Sequence, residues 1–435
     1  MGRLRRFLAA LGNPHRGYPI VHVGGTSGKG STTTTLAAIL TAAGFTTGLH
    51  TSPYLQTPTE KLQVNGRLIA PDLYADLVDR ILAAHDQWVA DGNEPLTYGE
   101  AWFSLTALFY RTTEVDVAVL EVGAGGRFDL TNIVEPVACA ITSVGIDHTH
   151  TLGNTIADIA WHKAGIIKRG IPVVTAAANP EARAIIQETA ASLQASLTIV
   201  EAGTWTQDVS TSRIGTRWTD GRSGLRHRSG LCGSFQAING ATAIAITEVL
   251  RKLGMAIPDE AVETGLRTAR IPGRAEVIED RAGLVLLDGA HNADKVAAIA
   301  ADIPHLLPVA DSGKRIAVLG VLEAKQALGM VRSLVPFMDV LVATSPQVTA
   351  KESKSASALA TMAREAGFHG PLEVEPDPHE AIDRALELAG SSPGSAIFVT
   401  GSLYLVGNVR ERWYREDEIT LAQSPWPRDT ISPAS

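Results

Sequence analysis

Short β-branched runs alternate with Ala- and Leu-rich amphipathic stretches along most of the chain. Tyr18–Val23, Val115–Val122, Ala138–Val144, Pro172–Thr175, Leu284–Leu287, Arg315–Leu319, Val340–Thr344 and Ala396–Thr400 read as buried strands. Ser31–Ala43, Pro71–Ala90, Ala293–Ile303, Ser355–Ala366 and His379–Leu388 read as helices between them. Such alternation predicts an α/β fold with mainly parallel sheets, whose ligands gather where strands run out into helices. Residues 198–232 break the rhythm: they are polar, rich in Thr, Ser, Gly and Arg, and predict a small antiparallel patch. A helix over Ser234–Leu253 follows, and Ile271-Pro-Gly-Arg274 then punctuates the chain before a fresh βα series. The expected division is residues 1–271, residues 272–411, and a tail over 412–435 with three prolines that adds little to either core.

Composition narrows the partners. The chain has 435 residues, of which 45% are hydrophobic and 19% charged, the balance of a globular protein rather than a disordered one. Lys and Arg total 38 against 46 Asp and Glu, a net charge of −8, so nucleic acid is a poor partner. The basic N-terminal stretch has too short an apolar run for a signal peptide, and no segment is long enough to span a bilayer. Two cysteines in unrelated contexts, Cys139 and Cys232, fit a reducing compartment. These features predict a cytoplasmic protein, and the net charge leaves room for a local basic pocket that holds one small anion.

The strongest local signal is VHVGGTSGKGSTTTT, Val21–Thr35. A strand ends, glycines follow, and a helix begins. Gly25, Thr26, Ser27, Gly28, Lys29, Gly30 and Ser31 form a loop whose backbone N–H groups can wrap a phosphate. The helix N-terminus adds donors and Lys29 a point charge. Gly30 stands where a phosphate loop normally places the magnesium-binding hydroxyl, so that hydroxyl must come from Ser31 or from a serine elsewhere. Two further residues are ambiguous by themselves. Glu121, ending a strand beside glycines, could hold a hard divalent cation or form a cap or salt bridge. His148 could complete a coordination sphere or be an ordinary core histidine.

Downstream run TSPYL (51–55), LEVGAGGRFDLTN (120–132), ITSVGIDHTHTLG (141–153), HKAGIIK (162–168), GSFQAIN (233–239), PGRAE (272–276), LLDGAHN (286–292) and VTGSLYLVG (399–407). Together with the GTSGKGS loop, this ordered series resembles the folylpolyglutamate synthase/dihydrofolate synthase family of the Mur-ligase superfamily, from about residue 8 to residue 410. The resemblance implies an N-terminal P-loop ATPase domain and a smaller Rossmann-like C-terminal domain with the active site between them. It implies ATP and Mg²⁺ as cofactors, L-glutamate and a folate-type carboxylate as substrates, and a monomer. ATP phosphorylates the carboxylate, and the glutamate amine attacks the acyl phosphate. By the same match, Ser52, Glu121 and His148 are magnesium ligands, and Lys163 is the lysine that relatives carry as a carbamate able to bind a second magnesium. Arg274 reaches the phosphates from the linker, and Asp288 and His291 stand near the ribose and phosphates. Gln236 and Asn239 lie on one helix face, with Asn239 near adenine, and Ser402 resembles a glutamate-side residue. Tyr54 and Asp129 belong to the acceptor side.

Several family positions differ. TSPHL reads TSPYL with Tyr54; the aromatic of LTxFE is Gly99; DATN reads Asp129-Leu130-Thr131-Asn132; the glutamate before the carbamate lysine is His162; the histidine of GxHQ is Phe235; and DKD reads Ala324-Lys325-Gln326. Gly99 and Leu130 fall where relatives cradle the pterin–aminobenzoate group, and loss of a ring at 99 removes a stacking surface. Compensation by Tyr54, Tyr98, Trp102 or Phe103 keeps a folate acceptor. A different carboxylate acceptor, or a nucleotide-binding scaffold without ligation, are the rival readings. Lys29, Glu121, His148, Lys163, Arg274 and His291 together argue against a scaffold.

Overall fold

The computed structural model describes residues 1–349 and 351–428. The first sheet contains eight strands: β1 (Ile20–Gly24), β2 (Thr47–His50), β3 (Gln63–Val64), β4 (Arg67–Leu68), β5 (Val117–Glu121), β6 (Ala138–Ile141), β7 (Val173–Thr175) and β8 (Leu197–Ile199). Their order is β4-β3-β2-β5-β1-β6-β7-β8, parallel from β2 to β8, with β3 and β4 as an antiparallel edge hairpin. Every residue of β1, β5 and β6 is buried, as befits central parallel strands covered on both faces. Val21, Val23, Val117 and Val119 face the helices Lys29–Ala42 and Gln236–Lys252 on one side, while Ala118 and Leu120 meet the helix Tyr98–Thr112 on the other. The basic N-terminal stretch forms the helix Gly2–Ala10, whose Leu4, Phe7 and Leu8 are fully buried against that second layer.

Three strands, β9 (Gln207–Ser212), β10 (Gly215–Thr219) and β11 (Arg226–Ser229), make the expected antiparallel patch. Thr198 does not belong to it. Leu197–Ile199 pairs in parallel with β7 and closes the main sheet, so the polar run misled at its first residues. The second sheet is built from β12 (Glu276–Asp280), β13 (Gly283–Leu287), β14 (Arg315–Leu319), β15 (Val340–Ala343), β16 (Leu372–Val374) and β17 (Ala396–Thr400). Its order is β12-β13-β17-β14-β15-β16, with only β12 antiparallel.

The segment after Glu411 departs from the sequence expectation. Rather than trailing from the core, it folds back as the helix Glu416–Ala422, with Ile419 fully buried. Trp426 donates its indole N–H to Glu276 Oε1 at 2.8 Å, and the Pro425 carbonyl accepts from Arg410 at 2.8 Å. Proline and serine content signalled a tail that adds little to either core, but the packing comes from Trp413, Tyr414, Ile419 and Trp426, which that composition reading underweighted. The last seven positions of the expected tail, 429–435, lie outside the described residues.

Both cysteines are buried, and the Cys139 thiol donates to the Ile166 carbonyl at 3.2 Å. Among the described residues no helix is long and apolar enough to cross a membrane.

Candidate active site

Four adjacent strands of the first sheet, β2, β5, β1 and β6, deliver their C-terminal ends to one edge. Ser52 follows β2, Glu121 ends β5, the glycine loop follows β1, and His148 lies beyond β6. That is the crevice position of an open α/β sheet.

The loop is held from below by the β6 extension. Thr26 N–H donates to the Ser143 carbonyl at 2.7 Å, and Ser27 N–H to Ser143 Oγ at 2.9 Å. Thr142 Oγ1 donates to the Ser27 carbonyl at 2.7 Å. Two glycines are required there. Gly25 has φ +141°, and an ideal Cβ would stand 1.9 Å from Thr142 Oγ1. Gly28 has φ +86°, and its Cβ would meet Asn239 Oδ1 at 2.2 Å. Asn239 in turn donates to Gln236 Oε1 at 2.9 Å, so the amide pair buttresses the loop.

Lys29 begins the helix Lys29–Ala42; its ammonium is 3.2 Å from the Gly25 carbonyl and 4.0 Å from Glu121 Oε1. Glu121 also accepts from Ser52 N–H at 3.0 Å. Burial pushes its carboxyl up, with Lys29 the largest opposing influence. Lys163, only 3% exposed, is pushed down to about 7 by burial and then by the Lys29 charge. His148 caps a short helix with φ +54°; burial lowers its ring, Asp147 opposes, and the charges of Lys325, Lys29 and Lys163 add to the lowering.

The second sheet presents a facing edge. Asp288 and His291 follow β13, Ser402 follows β17 and Lys325 follows β14, three neighbouring strands. Asp288 accepts from the N–H groups of Ala275 at 2.8 Å and Ala290 at 2.9 Å, pinning the linker beside Arg274 to the second sheet. The Arg274 charge is felt by Glu121 in one domain and by Asp288 and His291 in the other. Between the edges stands Asp147. Its carboxylate meets Lys295 and Lys325, each at 3.4 Å, and lies 3.9 Å from His291 Nε2. Burial would raise that carboxyl, but Lys295 and Lys325 hold it well below the usual carboxylate range.

The structure thus gathers the loop, Ser52, Glu121, His148, Lys163, Arg274, Asp288 and His291 around one seam. Three other expected site residues make local contacts of their own. Ser402 Oγ caps the helix Leu403–Arg410 by accepting from Tyr404 N–H at 3.1 Å. Asp129 accepts from Ala124 N–H at 3.1 Å and Thr131 N–H at 3.0 Å, shaping its own loop. Tyr54 faces the Lys61 ammonium, which lies 5.3 Å from its ring, 5.9 Å from Tyr98 and 4.8 Å from Trp102.

The departures from the family pattern are physically linked. A Cβ at Gly99 would lie 2.8 Å from Leu130 Cδ1, so the small residue and the large one are a matched pair. His162 joins exposed Phe128 and exposed Trp161 in an aromatic cluster, with ring centroids 5.1–6.1 Å apart. Phe235 packs on the second-domain core.

Sequence reasoning did not assign roles to Asp147, Lys295 or Lys325. The available signals were the adjacency of Asp147 to His148 and the spacing of Lys295, four residues after His291, which favours side-chain contact.

Among the described residues, no group of three or more His, Cys, Asp or Glu side chains could hold a metal ion by itself. Mg²⁺ carried on a nucleotide takes one or two protein carboxylates and completes its shell with phosphates and water. Buried Glu121 beside Lys29 and the loop is such a carboxylate.

Residues 23–247 match the Mur ligase middle domain, and residues 273–403 match the Mur ligase glutamate ligase domain. The chain is 33% identical to the dihydrofolate synthase/folylpolyglutamate synthase of Bacillus subtilis over 424 residues, covering 95% of this chain and 94% of that protein. Mycobacterium tuberculosis folylpolyglutamate synthase complexed with ADP and AMPPCP superposes with a TM-score of 0.84 at 29% identity, covering 94% of each chain. E. coli FolC in complex with DHPP and ADP gives 0.78 at 27%, covering 94% of this chain and 92% of that one. By these domain matches and this full-length similarity, the chain belongs to the folylpolyglutamate synthase/dihydrofolate synthase family of Mur ligases.

Proposed function

We propose that this protein uses ATP to join L-glutamate to the carboxylate of a folate-type acceptor. One observation carries the reading: the phosphate loop with Lys29 and Glu121 faces Arg274, His291 and the lysines of the second sheet across one seam. In the first step an acceptor carboxylate oxygen attacks the γ-phosphorus of ATP, forming an acyl phosphate and ADP. The glutamate amine then attacks the acyl carbon, inorganic phosphate leaves, and the amine proton is lost as the amide forms. Lys29 and Arg274 stabilise charge on the transferring phosphoryl group. Glu121, with Ser52 and His148, would hold Mg²⁺, which would supply further charge neutralisation when bound with ATP. Domain closure completes the site and excludes water.

The test is phosphate release from ATP, Mg²⁺ and L-glutamate against a panel of pteroates, folates and unrelated carboxylates. Turnover confined to a non-folate acid would sink the folate reading, and no acceptor-stimulated turnover would sink ligation itself.

Burial of Lys163 favours its neutral amine, the form that takes up CO₂ to give a carbamate and a proton. Turnover of CO₂-depleted enzyme is expected to rise on adding bicarbonate, and Lys163→Ala to lose both the activity and the response. An unchanged rate across bicarbonate concentrations would mean that Lys163 acts as the amine.

The acceptor's aromatic end is assigned to the face of Tyr54, Tyr98 and Trp102. Tyr98 is 68% exposed and available for stacking. Tyr98→Ala is expected to raise KM for a pteroate acceptor by roughly 3–10-fold, the worth of one aromatic contact, while leaving KM for ATP unchanged. An unaltered acceptor KM would move the ring elsewhere.

A further inference from the structure

Lys295 stands in the first turn of the helix Ala293–Leu306, on the second domain's side of the seam. Its ammonium lies 3.0 Å from His291 Nε2 and 3.4 Å from Asp147 Oδ2. The other ring nitrogen, His291 Nδ1, is 2.9 Å from the Gly289 carbonyl oxygen, which can only accept. Nδ1 therefore carries the proton and Nε2 the lone pair that receives Lys295. Both nitrogens of the ring are spent, and the ring is neutral, in keeping with a pKa pushed down to about 3 by burial and then by Lys295 and Arg274. A neutral ring with no spare N–H offers a phosphate nothing. The cation of this corner is Lys295.

Two features say what that cation is for. First, one carboxylate, Asp147, is stretched between two ammonium groups at 3.4 Å each, a length at which neither pair is a tight charge-assisted hydrogen bond. Second, Lys29, Lys295, Lys325 and Arg274 gather positive charge along one seam, an arrangement suited to a polyanion. Lys295 shares the field of the phosphate-loop lysine: the Lys29 and Arg274 charges both act on it, and it acts on Glu121. We propose that Lys295 is a further phosphate-contacting residue. His291 aims its ammonium, Asp147 holds it until substrate arrives, and it meets a non-bridging oxygen of the transferring phosphoryl group. His291 is thereby a positioning residue. The inference rests on ATP binding at the glycine loop.

Lys295→Met in the full chain keeps the length of the side chain and removes its charge. Its kcat is expected to fall about 100-fold, as when one preorganised donor to a transition state is lost. KM for glutamate should stay within about threefold, a range worth well under 1 kcal/mol. Direct binding gives a readout independent of turnover. Affinity for AMPPCP, which carries a γ-phosphoryl group, should fall about tenfold, or about 1.4 kcal/mol, while affinity for ADP is retained. Lys295→Arg should recover most of the AMPPCP preference because it restores the charge. If the Met variant does not fold, as judged by thermal unfolding, Lys295→Gln is measured instead. A kcat within threefold of the parent, or equal losses for ADP and AMPPCP, overturns the assignment. A raised glutamate KM at unchanged kcat also overturns it and gives Lys295 to the carboxylate of the incoming amino acid. If the parent binds neither nucleotide, the ATP reading itself falls.

Discussion

Lys29→Ala is expected to abolish ligation, with kcat reduced by about 10³-fold or more, while the fold persists. The argument begins with position. Lys29 is the first residue of its helix, and its ammonium bridges the Gly25 carbonyl and Glu121 at the mouth of the loop. Both contacts of the ammonium lie at the loop mouth, so its removal deletes charge at the phosphates. One consequence cuts the other way: Glu121, already pushed up by burial, loses its largest opposing charge and takes up a proton more readily. Magnesium should then compete with protons at that carboxylate, so the variant's Mg²⁺ requirement rises as pH falls. Thermal unfolding and circular dichroism check the fold, and phosphate release checks the rate. Near-parental activity would mean that the phosphates bind elsewhere.

The second large effect concerns stability. Arg410 is fully buried and donates from Nε and Nη2 to both oxygens of Glu276, at 2.8 and 2.9 Å. Its Nη1 donates to Gln56 Oε1 at 2.6 Å, in the loop that follows Ser52. Glu276 also accepts from Gly273 N–H at 2.8 Å, next to Arg274. Arg410→Met leaves a buried carboxylate without its counter-charge, which costs about 3–5 kcal/mol. Replacing both partners with apolar residues should recover much of that loss, because the pair's own net worth is small once desolvation is counted. Denaturant unfolding of the two single variants and the double variant measures this. A shift below about 1 kcal/mol, the scale of an exposed pair, would show that water reaches the cavity. Because the clasp touches Gln56 and Gly273, the single variant should also impair catalysis by loosening both loops that carry Ser52 and Arg274.

The reach of the sequence follows the distance between partners. The phosphate loop is contiguous, so strand, glycines, lysine and helix appear in the order in which they act. Central strands and the helix Pro71–Ala90 are legible because their burial repeats at short range. The helix Tyr98–Thr112 escaped notice because nearly its whole length after Trp102 is buried, leaving no polar stripe to set a period. Asp147, Lys295 and Lys325 come from three strand ends in two domains, and nothing local marks them as neighbours. Gly99 and Leu130 read as two independent departures, whereas in space they are one exchange of volume. Ser402 and Asp129 sit at loop–helix junctions, where polar residues cap as often as they catalyse, and both side chains cap here.

The two cysteines have a practical corollary. Burial pushes the Cys139 thiol up to about 12 and the Cys232 thiol up to about 11, so neither forms a nucleophilic thiolate near neutral pH. Maleimide dyes should therefore ignore the parent protein and react only where a surface cysteine is introduced. Leu82 on the first domain and Val374 on the second are both well exposed. A donor–acceptor dye pair at those two places would follow the approach of the domains in real time, in single molecules, without removing any native residue first.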